Sequence, residues 1–148
     1  MGKIPDALLP DASKAFHHMD YRINFPVPVP DIIALYNDAG LPRPTDDAER
    51  IGRMYANSNL IISAWEGDLL VGIARSLTDF SFCCYLSDLA VRKDYQRSGV
   101  GRELVARTRA AIGPESMLLL LSVPGAMGYY PKIGMETVQN GFIYKRER

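Results

Sequence analysis

No stretch of this chain approaches the run of about 18 apolar residues that a membrane-crossing helix needs. The opening MGKIPD has no apolar signal-peptide core, and Asp6 stands where a myristoylation signal wants Ser or Thr. No membrane partner is expected. Cysteine is as scarce: there are 2, Cys83 and Cys84, and they are adjacent. Neighbours on a strand point to opposite faces, so the two do not pair with each other. No Cys/His spacing suits zinc, so no metal is expected, and a reducing, cytoplasmic setting fits this usage. An excess of one charge is missing too, since Lys plus Arg and Asp plus Glu each total 17. General nucleic-acid affinity needs positive charge along a face, so no nucleic-acid partner is expected.

What is present reads as an ordinary folded domain. A length of 148 residues with 47% hydrophobic and 23% charged residues favours one core. Residues 1–18, MGKIPDALLPDASKAFHH, lack sustained periodicity and read as an extension or a cloning remnant. Residues 19–148 read as a single domain.

From Asp20 the pattern becomes regular. YRINF alternates as a first strand and stops at PVPVP. DIIALYNDAG predicts a helix capped by Asp31 and ended by Gly40, and Thr45 is set to cap a second helix through ERIGRMYA. LIISAWE and LLVGIARSLTDF flank Gly67-Asp68 as a hairpin. FCCYLSDLAV, apolar on both faces, predicts a central strand. A helix from Gly99 to Ile112 sets Val100, Leu104, Thr108 and Ile112 on one face. MLLLLSV predicts a buried strand, AMGYYPKIGM a short helix, and ETVQNGFIYKR a hairpin around Asn140-Gly141. The order β-α-α-β-β-β-α-β-α-β-β predicts an α/β fold with a mixed sheet of about seven strands and helices on both faces.

Between the central strand and the Gly99 helix lies QRSGVG. A Gly-rich turn into a helix presents unpaired N–H groups and the positive end of the helix dipole, a suitable cradle for an anion. Arg97 and Arg102 add positive charge, yet both glycines could equally serve only the turn. A dinucleotide fingerprint is excluded because Leu104 occupies its third glycine position, and no P-loop pattern occurs. The pattern present is Gln-x-x-Gly-x-Gly at Gln96, Gly99 and Gly101.

The run LSDLAVRKDYQRSGVGREL resembles motif A of the GCN5-related N-acetyltransferases, the GNAT family: a strand ending in Ala-Val, a Tyr-Gln turn, then Gln/Arg-x-x-Gly-x-Gly/Ala. The segment from Tyr129 to Met135 resembles that family's later Phe-Tyr-x-Lys-x-Gly-Phe element. Lys93-Asp94 replaces the usual Asp-Pro, and Met135 the final Phe. The resemblance covers residues 20–146. A narrower likeness, through NDAGLPRPTDD and the three strands of SNLIISAWEGDLLVGIARSLTDFSFCCYLSDLAV, is to plastid-type plant acetyltransferases of arylalkylamines and protein lysines.

The resemblance implies acetyl-CoA as co-substrate, its pyrophosphate held by Gln96, Arg97, Ser98, Gly99, Val100, Gly101 and Arg102. It implies that the pantetheine pairs with the backbone of Leu89, Ala90 and Val91, whose amides polarise the thioester carbonyl. Direct attack by a small primary amine, arylalkylamine or polyamine-like, is the reaction implied. A protein lysine or N-terminal acceptor, or a non-catalytic acetyl-CoA sensor, are the competing readings. Tyr130 matches the family's general acid, with Tyr129 beside it as packing. Asp88, a carboxylate on a central strand, is a candidate base or else a structural group, and Asp79 is a second candidate. Trp65, Phe80, Phe82 and Tyr36 are candidates to line an acceptor pocket, and Cys84 is a weak candidate nucleophile. Homodimers are common in the family, which makes a homodimer one expectation.

Overall fold

The computed structural model describes residues 18–148; all but His18 of the extension expected over residues 1–18 lies outside the described residues. Five strands form one sheet in sequence order: β1 (Asp20–Ile23), β2 (Leu60–Glu66), β3 (Leu69–Thr78), β4 (Cys83–Val91) and β5 (Met117–Leu120). The first four run antiparallel, and β5 pairs with β4 in parallel. That parallel step requires a crossover, supplied by α3 (Val100–Ile112). Helices α1 (Val29–Ala39) and α2 (Ala48–Ala56) join β1 to β2, and a short helix α4 (Tyr129–Lys132) follows β5.

Each face of the sheet carries its own core. Leu60, Ile62, Ala64, Val71, Ala74, Cys84 and Leu86 pack under Val100, Leu104, Val105 and Ile112 of α3. On the other face Ile32, Leu35, Tyr36 and Ile51 of α1 and α2 meet Trp65, Leu70, Ile73 and Ala90. Gly72 lets α3 come close: a Cβ there would lie 3.1 Å from Leu104 Cδ1, 3.2 Å from Val100 Cγ1 and 3.2 Å from the Ala90 carbonyl.

Helix boundaries follow local chemistry. Pro28 rather than Asp31 precedes α1, because the Pro30 ring fits the first turn and leaves Asp31 inside it near the dipole's positive end. Gly40 ends α1 with φ of 72°. Asp47 rather than Thr45 caps α2, accepting the Arg50 N–H at 3.0 Å, while the Thr45 hydroxyl donates to Asn37 Oδ1.

Among the described residues five strands form where about seven were expected. The closing hairpin around Asn140-Gly141 is not formed: residues 135–148 carry no strand, and Phe142 and Tyr144 are fully exposed. Phe142, Ile143 and Tyr144 are consecutive, so a strand there would aim apolar groups at both faces, only one of which could reach the core. A two-stranded hairpin without such a face is marginal. The outer edge of β5 therefore stays open, and β5 is half-buried rather than buried.

Candidate active site and cofactor cradle

The turn after β4 is built to show its backbone. Lys93–Tyr95 forms one 3-10 turn, and the chain then reverses with Arg97 at φ 64° and Gly99 at φ 91°. Two left-handed residues so close together turn successive N–H groups towards one side, a nest suited to an anion. None of the N–H groups of residues 97–102 meets an acceptor in good geometry among the described residues; the first to do so is Glu103, bonded to the Gly99 carbonyl at 3.0 Å. Val100 buries its side chain in the core, so only its backbone faces outward. The Ser98 hydroxyl donates to the Tyr95 carbonyl, and Gln96 Nε2 donates to the Val91 carbonyl at 2.9 Å. Gln96 thus ties the turn to the end of β4 through its side chain.

The two glycines do different work. A Cβ at Gly99 would stand in open space, while one at Gly101 would lie 3.0 Å from the Tyr129 hydroxyl. Gly99 keeps the left-handed backbone cheap and the approach clear. Gly101 makes room for Tyr129, which leans on the start of α3.

On the strand that leads into this turn the sheet opens. Pairing of β4 with β5 stops at Leu86 and Leu120, although β4 runs on to Val91. The cause is a bulge: Ser76 faces Leu86 but Arg75 faces Asp88, leaving Ser87 as an extra residue. A bulge bends its strand and raises the local twist, so the strands part here. Leu89, Ala90 and Val91 keep their β3 partners Ala74, Ile73 and Gly72 but have none in β5. In the opening lies a cleft of about 70 Å³, walled by Leu86, Ser87, Leu89, Leu120, Tyr130 and Arg43 among others.

Tyr130 is half-buried on α4, with the Tyr129 ring packed edge-on at 5.2 Å between centroids. Burial, and then the neighbouring Tyr129, pushes its hydroxyl above the usual tyrosine value. It therefore keeps its proton through the neutral range.

The bulge also decides what surrounds Asp88. Cys84 and Leu86 face α3, and the extra residue flips the alternation so that Asp88 and Ala90 face α1 and α2. There the fully buried Asp88 carboxylate accepts from Arg43 Nε on Oδ1 at 2.6 Å, and on Oδ2 from Arg75 Nε at 2.6 Å and Tyr36 Oη at 2.7 Å. The Ser87 hydroxyl adds a bond at 3.2 Å. Burial pushes this carboxyl up, but the Arg75 bond and charge, Arg43 and Tyr36 outweigh it and hold the group below the usual carboxylate range. Tyr36 in turn accepts from Tyr55 at 2.5 Å, and burial raises both phenols well above their ordinary value. Arg75 completes the network by donating to the Ser58 and Ser87 hydroxyls.

The other sequence candidates lie elsewhere. Asp79 Oδ1 accepts the N–H groups of Ser81, Phe82 and Cys83, and these bonds hold its carboxyl far below normal. It organises the β3–β4 turn. Cys84 is buried under α3, which raises its thiol and leaves little thiolate. Trp65, Phe80, Phe82 and Tyr36 do not line one pocket: Trp65 and Tyr36 share the core under α1 and α2, while Phe80 and Phe82 are exposed on the turn. Arg43 and Arg75 were missed as Asp88 partners. Among the described residues no helix is long and apolar enough to cross a membrane, and no group of three His, Cys, Asp or Glu is placed to hold a metal.

The family model described as an acetyltransferase (GNAT) domain matches residues 43–145. The chain belongs to the GNAT acetyltransferase family. This acetyltransferase shares its fold with a GNAT-family protein of Streptococcus pneumoniae TIGR4, at a TM-score of 0.71 and 23% identity over 88% of this chain and 100% of that one. A probable acetyltransferase of methicillin-resistant Staphylococcus aureus gives 0.72 and 22% over 86% and 99%. The aminoglycoside N-acetyltransferase AAC(6')-Iy in complex with CoA gives 0.66 and 16% over 88% and 96%. A search of the curated proteins finds no match.

Proposed function

We propose that this acetyltransferase uses acetyl-CoA to acetylate a small primary amine by direct attack, with residues 19–148 as one catalytic unit. The observation that carries the reading is the opening between β4 and β5: it lies on the strand that leads into the anion nest of residues 97–102, and Tyr130 on its wall stands beside Tyr129, which touches Gly101 of the nest. The residues present fit the co-substrate: open space at Gly99 and unpaired N–H groups suit a pyrophosphate, and β4 beyond Leu86 offers backbone on the side that β5 has left.

Acetyl-CoA supplies the acetyl group as an activated thioester. The chain's own task is to hold, orient and move protons. Residues 97–102 bind the diphosphate, and the backbone of Leu89, Ala90 and Val91 aligns the chain leading to the thioester. As the acceptor nitrogen forms its bond to the carbonyl carbon, the carbon–sulfur bond breaks and Tyr130 gives its proton to the departing sulfur. The nitrogen's surplus proton leaves to solvent, from which Tyr130 is reprotonated. Of the two roles open to Asp88 from the sequence, base or structural group, we assign the second, as a positioning residue: its oxygens are occupied by cations, and it anchors Arg43 at the cleft.

Thiol release from acetyl-CoA in the presence of a panel of primary amines tests this. Release that depends on the amine supports transfer; binding of acetyl-CoA with no release from any acceptor, protein lysines included, would favour a sensor.

A further inference from the structure

Among the described residues, Arg43 is the one charged side chain lining the cleft beside Tyr130. Its guanidinium is fixed by three bonds: Nε to Asp88, Nη1 to the Pro42 carbonyl at 2.7 Å and Nη2 to the Ser87 carbonyl at 2.8 Å. A guanidinium has five N–H donors, so one on each terminal nitrogen is left without a partner among the described residues. The side chain is 23% exposed, whereas Asp88 is at 0% and Arg75 at 8%. Asp88 neutralises only one of the two arginines, and its remaining partners, the Tyr36 and Ser87 hydroxyls, are uncharged. The cleft therefore shows a net positive charge through an immobilised, partly free guanidinium, against otherwise uncharged walls.

Resting on the acetyl-transfer reading above, we infer that Arg43 selects an acceptor amine that carries a carboxylate: a small amino acid rather than a polyamine or aminoglycoside. A rigid guanidinium with a spare donor on each terminal nitrogen can meet the two oxygens of a carboxylate. A second positive charge on the acceptor would instead meet Arg43, with no acidic side chain among the described residues of the cleft wall to offset it. The same cation serves the chemistry, because a like charge nearby disfavours the ammonium form of the acceptor. More of the amine is then neutral and able to attack.

Three amines of nearly equal size and different tail charge test this: β-alanine, propylamine and 1,3-diaminopropane. Wild-type kcat/KM, followed by thiol release, should fall in that order, by about tenfold or more from the first to the second, the size of one charge-assisted contact. In Arg43→Gln the preference for β-alanine over propylamine should shrink to within about threefold, chiefly through KM. Because Arg43 also braces Asp88, Arg43→Lys provides a charged control and should keep the order with a smaller ratio. Wild-type protein that uses propylamine or diaminopropane as well as β-alanine, or an Arg43→Gln variant with the ratio intact, overturns the inference and leaves acetyl transfer standing. Silence with all three amines while another acceptor drives thiol release overturns the inference alone; acetyl-CoA binding with no release from any acceptor, protein lysines included, overturns both.

Discussion

Arg43 and Asp88 are 45 residues apart in sequence, yet their side chains meet at 2.6 Å. The pair fastens the loop between α1 and α2 to the central strand at the point where the sheet opens. One partner is fully buried and the other reaches the cleft. A structural ion pair therefore holds a cleft residue in place.

Removing the buried partner should be costly, because two arginines would lose their shared counter-charge. Asp88→Asn should destabilise the fold by about 3–5 kcal/mol, lowering Tm by roughly 10 °C in a thermal melt. Where the variant remains folded, its pH profile for kcat/KM should keep the wild-type ionisations. Loss of one ionisation would restore Asp88 to the role of base.

The same carboxylate predicts acid sensitivity. Its folded pKa is depressed, so the stability it adds is present above the unfolded value of about 3.9 and is lost as pH falls through the folded one. Urea midpoints measured from pH 7 down to pH 2 should drop more steeply in the wild type than in Asp88→Asn.

Tyr130→Phe removes the proton at the cleft and little else, since the ring keeps its contact with Tyr129. We expect kcat to fall by roughly 10²-fold or more, with the acetyl-CoA Kd within twofold of wild type. Because burial raises the hydroxyl, wild-type activity should decline only above pH 10, and the variant should lack that limb.

Gly72→Ala tests the packing that seats α3, and with it the cradle. The new methyl would press on the Ala90 carbonyl, which is backbone and cannot give way easily. A loss of about 1–3 kcal/mol in chemical denaturation is expected.

Much of this was legible in the sequence because local patterns carried it. The Gly67-Asp68 turn, Gly40 at the end of α1 and the buried face of α3 follow from spacing and glycine chemistry alone. The cradle and the acid proposed at residues 97–102 and Tyr130 rest on motifs. The surroundings of Asp88 did not, for a specific reason. Extending the pairing of Ser76 with Leu86 by one step sets Arg75 opposite Ser87, and only the bulge moves Asp88 into that place. A lone Arg in β3 and a lone Asp in β4 were the available signal, but their meeting depends on one inserted residue. Arg43 sits in a loop, where no periodicity marks a partner. The missing hairpin after residue 135 shows the reverse: an Asn-Gly turn signal is not enough when its flanking residues have no face to bury.

The central claim is that residues 97–102 hold the diphosphate of acetyl-CoA beside a cleft that contains Tyr130. Calorimetric titration of CoA into wild type and Gly99→Glu tests it most directly, because the new carboxylate would occupy the open approach and repel the anion. Saturable binding at one site in the wild type, lost in Gly99→Glu while its melting curve stays cooperative, is the result predicted. Equal binding by a folded Gly99→Glu, or none by the wild type, would contradict it.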